Sequence, residues 1–277
     1  MRFVAAIGLV IAFGLISPSP ASSAERLALF DAHIHYSHDA WETLAPAEAV
    51  AILRRAGLKR AFVSSSSDEG TLRLHALAPD LVVPVLRPYR RRGETGSWVH
   101  DATVPAMLAE RLAARRYAGI GEFHVHGADA DLPVVREVVQ LAKHHRIFLI
   151  AHADANAVVR IFSQNPEARV LWAHAGFERP DVIAATLDRY PTLWADLAFR
   201  YEPARAGSVA PDWRVLFERF PDRFMVGTDT YTPERWSDVT EHADWARGWL
   251  AQLPPELAHR IAYGNAETLL RWSLGTE

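Results

Sequence analysis

Cysteine is missing altogether from this 277-residue chain. That removes disulfides, thiolate nucleophiles and thiolate metal ligands from consideration together. Lysine is nearly as scarce, with Lys59 and Lys143 standing alone against plentiful arginine. There is no surplus of positive charge either. A net charge of −3 speaks against a general nucleic-acid or anionic-membrane binder, which calls for a basic excess. No G-x-G-x-x-G follows the first apolar segment of the folded part, and no G-x-S-x-G marks a serine nucleophile. No linker, low-complexity tract or tandem repeat interrupts the sequence, so it reads as one domain.

What is present begins with a leader. Arg2 supplies a positive start, residues 3–16 are almost wholly apolar, and residues 17–24 are small residues and proline ending in Ala24. This is the three-part layout of a secretory signal, and its apolar run falls short of the roughly 20 residues a membrane span needs. Cleavage after Ala24 leaves residues 25–277 as the folded domain, periplasmic or secreted, with net charge −4 once Arg2 is gone. At 49% hydrophobic, the chain has ample material for one packed core.

Downstream, short apolar strands alternate with helical stretches. Strands are expected at 27–35, 61–64, 81–86, 119–123, 147–152, 168–174, 193–196 and 224–229. Helices are expected at 46–55, 71–77, 104–115, 132–145 (with Asp131 as cap), 155–163, 180–190 and 212–220. Two more, at 233–250 and 256–274, close the chain. Eight such units over about 250 residues predict an α/β fold, a single parallel (β/α)8 barrel. The alternative, an open doubly wound sheet, lacks its glycine fingerprint.

The chemistry lies at the strand ends. His33 and His35 close the first strand, and alternation puts both on one face about 7 Å apart along it. Two imidazoles so placed suit a metal such as zinc. Glu122 ends the fourth strand, His152 the fifth, His174 the sixth and Asp229 the eighth. In a closed barrel all of these converge on the C-terminal mouth, where barrel enzymes keep their active sites. Arg87, Arg90, Arg91 and Arg92 follow the third strand on the same side and suit a carboxylate or phosphate. His124 and His126 repeat the i, i+2 spacing after Glu122. Trp172 and Trp194 lie within strands and read as packing residues.

Taken together, Asp31-Ala-His33-Ile-His35, Gly121-Glu122, Ala151-His152, Ala173-His174-Ala-Gly176 and Gly227-Thr-Asp229 resemble the metal-dependent amidohydrolase superfamily, amidohydrolase-related branch. Residues 190–196 and 263–266 support the resemblance, which spans the whole mature chain. It implies that His33, His35, His152, His174 and Asp229 hold or serve the metal. Many binuclear relatives bridge two metals with a carbamylated lysine at the end of strand four. Neither Lys59 nor Lys143 falls there, and Glu122 stands in its place, as in glutamate-bridged relatives such as TatD-like deoxyribonucleases. One or two ions are both compatible with this set, with zinc first and manganese, iron, cobalt or nickel open.

The expected activity is hydrolysis of a C–N or C–O bond (amide, lactone or ester) in a small molecule, by water that a metal has made acidic. Asp229 is the candidate proton-handling group, and His174 either a ligand or an oxyanion donor. Arg87 and His124 are candidate substrate contacts, and an anionic substrate would suit the arginines. The main alternative is a mononuclear non-oxidative decarboxylase. A TatD-like nuclease is disfavoured by the acidic balance, and a non-catalytic metal-binding barrel by the completeness of the ligand set. No nucleic-acid partner, and no membrane after cleavage, is expected. Oligomeric state leaves no mark in the sequence.

Overall fold

The computed structural model describes residues 26–276, so the leader lies outside the described residues. Eight strands alternate with helices: β1 Leu29–Ile34, β2 Leu58–Ser64, β3 Val82–Val85, β4 Gly119–Val125, β5 Phe148–Ala153, β6 Val170–Trp172, β7 Leu193–Asp196 and β8 Phe224–Met225. All pairings are parallel, in the order β1-β2-β3 and β4 through β8. Backbone bonds cross the two seams between these runs. At one, Leu86 N–H donates to Gly119 O (2.9 Å) and Gly121 N–H to Leu86 O (2.8 Å). At the other, Ala32 N–H donates to Val226 O (2.9 Å) and Asp229 N–H to His33 O (2.8 Å). This is the (β/α)8 barrel that the alternation predicts.

The helices begin and end where local chemistry allows. Pro46, Pro133, Pro180 and Pro211 stand in first turns, where a missing N–H costs nothing. Asp154 caps Ala155–Gln164 by accepting from Ala157 N–H at 2.7 Å. Asp131, expected to cap the next helix back, does not. Leu132 takes the N-cap of Pro133–His145, while Asp131 pairs with Arg136 and Arg160. The last expected helix is broken into Pro255–His259, a wider π turn and Asn265–Leu274. At that break the Asn265 amide donates to Phe224 O (2.8 Å) and Pro221 O (3.1 Å), tying the closing helix to β8.

Two apolar layers result. Inside the ring, Phe30, Phe62, Phe148, Leu171 and Met225 pack together, with Phe30–Phe62 and Phe62–Phe148 centroids 4.6 and 4.9 Å apart. Outside it, the other strand faces meet the helices through residues such as Leu53, Val135, Val139, Ile161 and Leu216. Trp172 and Trp194 are buried, as read from the sequence. Among the described residues no helix is long and apolar enough to cross a membrane.

Candidate metal centre

The inward turn of the polar residues is made by bulges. Between the pairs Asp31↔Ala61 and Ile34↔Val63, β1 spends one residue more than β2. Between Ile120↔Leu149 and Phe123↔Ala151, β4 does the same against β5. An extra residue reverses which side chains face the interior. Phe30 and Ala32 pack inside the ring, yet His33 and His35 above them also face inward. Ile120 faces the helices, yet Glu122 and His124 line the mouth. Gly121 makes the second bulge possible: its φ is +140°, and a Cβ there would lie 2.3 Å from Ile150 O. Glu122 therefore sits within β4, which runs on to Val125, rather than at its end.

On β1 the two histidines converge until their Nε2 atoms are 3.1 Å apart. The His35 Nδ1–H donates to Ser64 O at 2.7 Å, and a carbonyl only accepts, so the His35 Nε2 carries a lone pair. His33 Nδ1 lies 3.1 Å from Asp196 Oδ2. His174 sits past β6 in a left-handed conformation (φ 55°), its Nδ1–H donating to Ala198 O at 2.8 Å and its N–H to Asp196 Oδ1 at 3.0 Å. Ring nitrogens anchored on one side present the other to a common centre, as metal-ligating histidines do.

β8 is shorter than expected, and Asp229 follows it in a loop, also at positive φ (55°). The loop is latched to β1 instead of pairing as a strand. Thr228 Oγ1 donates to Asp31 Oδ2 (2.8 Å), Asp229 N–H to His33 O, and His35 N–H to Thr230 Oγ1 (2.9 Å). On the far side Arg235 donates to Thr228 O and Asp229 O. Gly227 permits the approach, since a Cβ there would lie 2.9 Å from His33 Cβ. Asp31, first residue of the motif, is thus a latch and not a ligand. A non-glycine residue held at positive φ is a mark of a constrained functional position.

Three overlapping sets bring one ligand atom per residue within 4.8 Å of one another: His33, His174 and Asp229; His33, His35 and Glu122; and Glu122, His124 and His152. A divalent cation fits them on one direct observation. Asp229 Oδ1 is buried with no hydrogen-bond partner, 3.5 Å from His35 Nε2 and 3.9 Å from His33 Nε2. An unpartnered buried carboxylate oxygen beside converging imidazole nitrogens calls for a cation.

Electrostatics agree. Burial pushes Glu122 up, but His33, His124, His152 and His174 outweigh it and hold the carboxyl well below its usual range. Burial also opposes charge on His33, yet Asp196, Glu122 and Asp229 hold its imidazolium well above the ordinary range. For His174 burial is likewise outweighed, chiefly by the Glu122 carboxylate beside it, and the net direction is up. For His35 burial, helped by Arg87, wins and keeps the ring neutral. His124 is pushed down to about 3, burial again leading. Burial pushes Asp31 up to about 6 despite its bonds from His33 N–H and Thr228.

The centre opens into a cavity of ≈ 440 Å³. Arg87 is buried beneath it and bound to Glu122, donating from Nη2 to Oε2 (2.7 Å) and from Nε to the backbone O (3.0 Å). Arg90 turns to Glu94 and Asp101, while Arg91 and Arg92 line the rim, Arg91 paired with Glu94 (3.3 Å) and Arg92 with Asp39 (3.0 Å). Phe177, Phe199 and Tyr231 line the opposite side, with Phe177 stacked on His174 at 4.7 Å. His126 is exposed and belongs to no ligand set. The sequence reading passed over Asp196 and Tyr89. Asp196 could have been found as the acid ending the seventh strand, whereas Tyr89 left no signal.

A (β/α)8 barrel with histidines and carboxylates gathered at the C-terminal mouth defines a class, the metal-centred barrel enzymes. Within it the chain belongs to the amidohydrolase family, whose model matches residues 30–272. It is an amidohydrolase-like enzyme, of a superfamily in which hydrolysis depends on metal. No curated protein matches. Among solved structures it is similar to an uncharacterized TIM-barrel protein from Bordetella bronchiseptica (15% identity, 89% and 99% of the two chains, TM-score 0.61). It is similar also to a protein from Pseudomonas putida described as a 2-pyrone-4,6-dicarboxylic acid hydrolase (15%, 89% and 98%, TM-score 0.57). A third is an amidohydrolase from Burkholderia multivorans with bound zinc (13%, 88% and 99%, TM-score 0.55).

Proposed function

We propose that the protein is an exported, zinc-dependent hydrolase that opens a C–O or C–N bond in a small anionic molecule, a lactone, ester or amide. The observation that carries this reading is the unpartnered Asp229 Oδ1 among His33, His35 and His174 at the base of an open cavity. His33, His35, His174, Asp229, Glu122 and His152 would hold the cation. When bound it supplies Lewis acidity, making water acidic and polarising the substrate oxygen. Asp229 takes the water proton and returns it to the leaving group. His174 offers Nε2 alone, as a ligand when neutral and as a donor to a developing oxyanion when protonated. Arg91 and Arg92 stand at the rim, where an acidic group of the substrate would compete with Glu94 and Asp39 for them, and Phe177, Phe199 and Tyr231 give an apolar side for a flat one. A planar lactone carboxylate, the kind of compound named for the Pseudomonas neighbour, suits both sides.

The test is turnover by zinc-loaded protein against a panel of anionic lactones, esters and amides, followed by proton release. Hydrolysis is expected, lost to a chelator and regained with zinc. The same rim arginines favour one second reading, non-oxidative decarboxylation of an unsaturated acid. Carbon dioxide release without any hydrolysis would select it. Inactivity toward both panels after verified loading would overturn the enzyme reading. Export predicts that the periplasmic protein begins at Glu25, which intact mass measurement checks.

A further inference from the structure

We propose that His124 belongs to a second cation position, made with Glu122 and His152, while His174 serves the position of His33, His35 and Asp229. The proposal rests on the metal-dependent reading above and adds to it which side chains make the second position.

The observation behind it is how completely His124 is held apart from one nitrogen. Its N–H donates to the Tyr89 hydroxyl oxygen (2.8 Å), and its carbonyl accepts from Trp98 Nε1 (2.8 Å). Its Nδ1 lies 2.9 Å from the same Tyr89 hydroxyl, and its ring stacks on His152 at 4.2 Å. Only Nε2 is left, in the cavity, 4.0 Å from Glu122 Oε1. With the Tyr89 hydroxyl accepting from Nδ1–H as it does from the backbone N–H, Nε2 would present its lone pair on the side of the Glu122 carboxylate, as the free nitrogen of a metal-ligating histidine does.

Glu122 has two oxygens to offer in two directions. Oε2 faces His35 Nε2 (3.2 Å) and is shared with Arg87. Oε1 faces His152 Nδ1 (2.9 Å). His174 reaches between the carboxylates, its Nε2 3.6 Å from the same Glu122 Oε1 and 3.9 Å from Asp229 Oδ2. It completes a ligand set with His33 and Asp229, whereas the set of Glu122 and His152 is completed by His124. Two nitrogens and a carboxylate suit zinc or a similar divalent ion. The His124 and His152 side chains are about a quarter exposed, against 2% for His33 and His174. The second position is therefore the one nearer solvent and the readier to exchange.

The experiment is zinc content per chain, by elemental mass spectrometry, after loading the purified protein and dialysing it. Two equivalents are expected for the unaltered protein, one for His124→Asn, and two for His126→Asn, the exposed neighbour of like spacing. Tyr89→Phe keeps the imidazole but loses its orienting hydroxyl, and the second zinc should bind roughly 10-fold more weakly. If His124→Asn does not fold by circular dichroism, the Tyr89→Phe affinity decides, and an unchanged second affinity overturns the proposal. One equivalent in the unaltered protein, or two in folded His124→Asn, also overturns it while leaving a mononuclear hydrolase standing. No zinc at all would overturn both this proposal and the metal-dependent reading.

Discussion

The interior of the barrel has two storeys built from the same strands. On the lower, Phe30, Phe62, Phe148 and Met225 meet ring against ring and need nothing further. On the upper, three to five residues along, His33, His35, Glu122 and Asp229 meet nitrogen against nitrogen and oxygen against nitrogen. Apolar atoms lower their free energy by touching one another, whereas buried ionisable groups require an opposite charge or a proton between them. One storey is complete in the protein alone. The other leaves a buried carboxylate oxygen of Asp229 unpartnered, and on the reading proposed above a cation would complete it.

The contrast can be broken most sharply at Asp229. Asp229→Asn should cut turnover by about 10²–10⁴-fold while the thermal midpoint stays put. Steady-state kinetics and calorimetry check both halves, and full activity would remove Asp229 from the mechanism. On the lower storey, Phe62→Ala should cost about 3–5 kcal/mol in denaturant unfolding. The fraction that remains folded should still bind zinc as the unaltered protein does. Zinc loss in step with stability would mean that the storeys are not separable.

Smaller effects sharpen the upper storey. Asp196 touches both His33 Nδ1 and the His174 backbone. Its Asn variant should bind zinc about 10–100-fold more weakly in a competing-chelator titration. An unchanged affinity would make Asp196 a purely structural acid. Acidification acts in the same direction. His33 is held protonated above the ordinary histidine range, so an incoming cation has to displace that proton. Raising the pH removes the competitor, and zinc affinity should rise by up to about 10-fold per unit between pH 6 and 8. A flat profile would contradict proton displacement.

Legibility followed the range of the physics involved. Helices announced by proline in a first turn and strands such as Leu193–Asp196 fell where local pattern puts them. Where a distant partner decides, local reading went astray. Asp131 was drawn from its helix by arginines, and the chain beyond Met225 left the ladder because Thr228 and Thr230 bind β1. Of the arginines after β3, charge alone could not tell Arg87, buried against Glu122, from Arg91 and Arg92 on the rim. Tyr89 acts on His124, far away in sequence, so no spacing rule points to it, whereas Asp196 at the end of β7 obeys the same strand-end pattern as the other acids.

By itself the sequence determined the alternation of strands and helices, hence a barrel, and the kinds of donor at the strand ends. These rest on periodicity and composition, which are local. Only the tertiary structure decided that bulges in β1 and β4 turn His33, His35, Glu122 and His124 into one space. A bulge is one residue unmatched by a neighbouring strand, so it exists only once the two strands are paired.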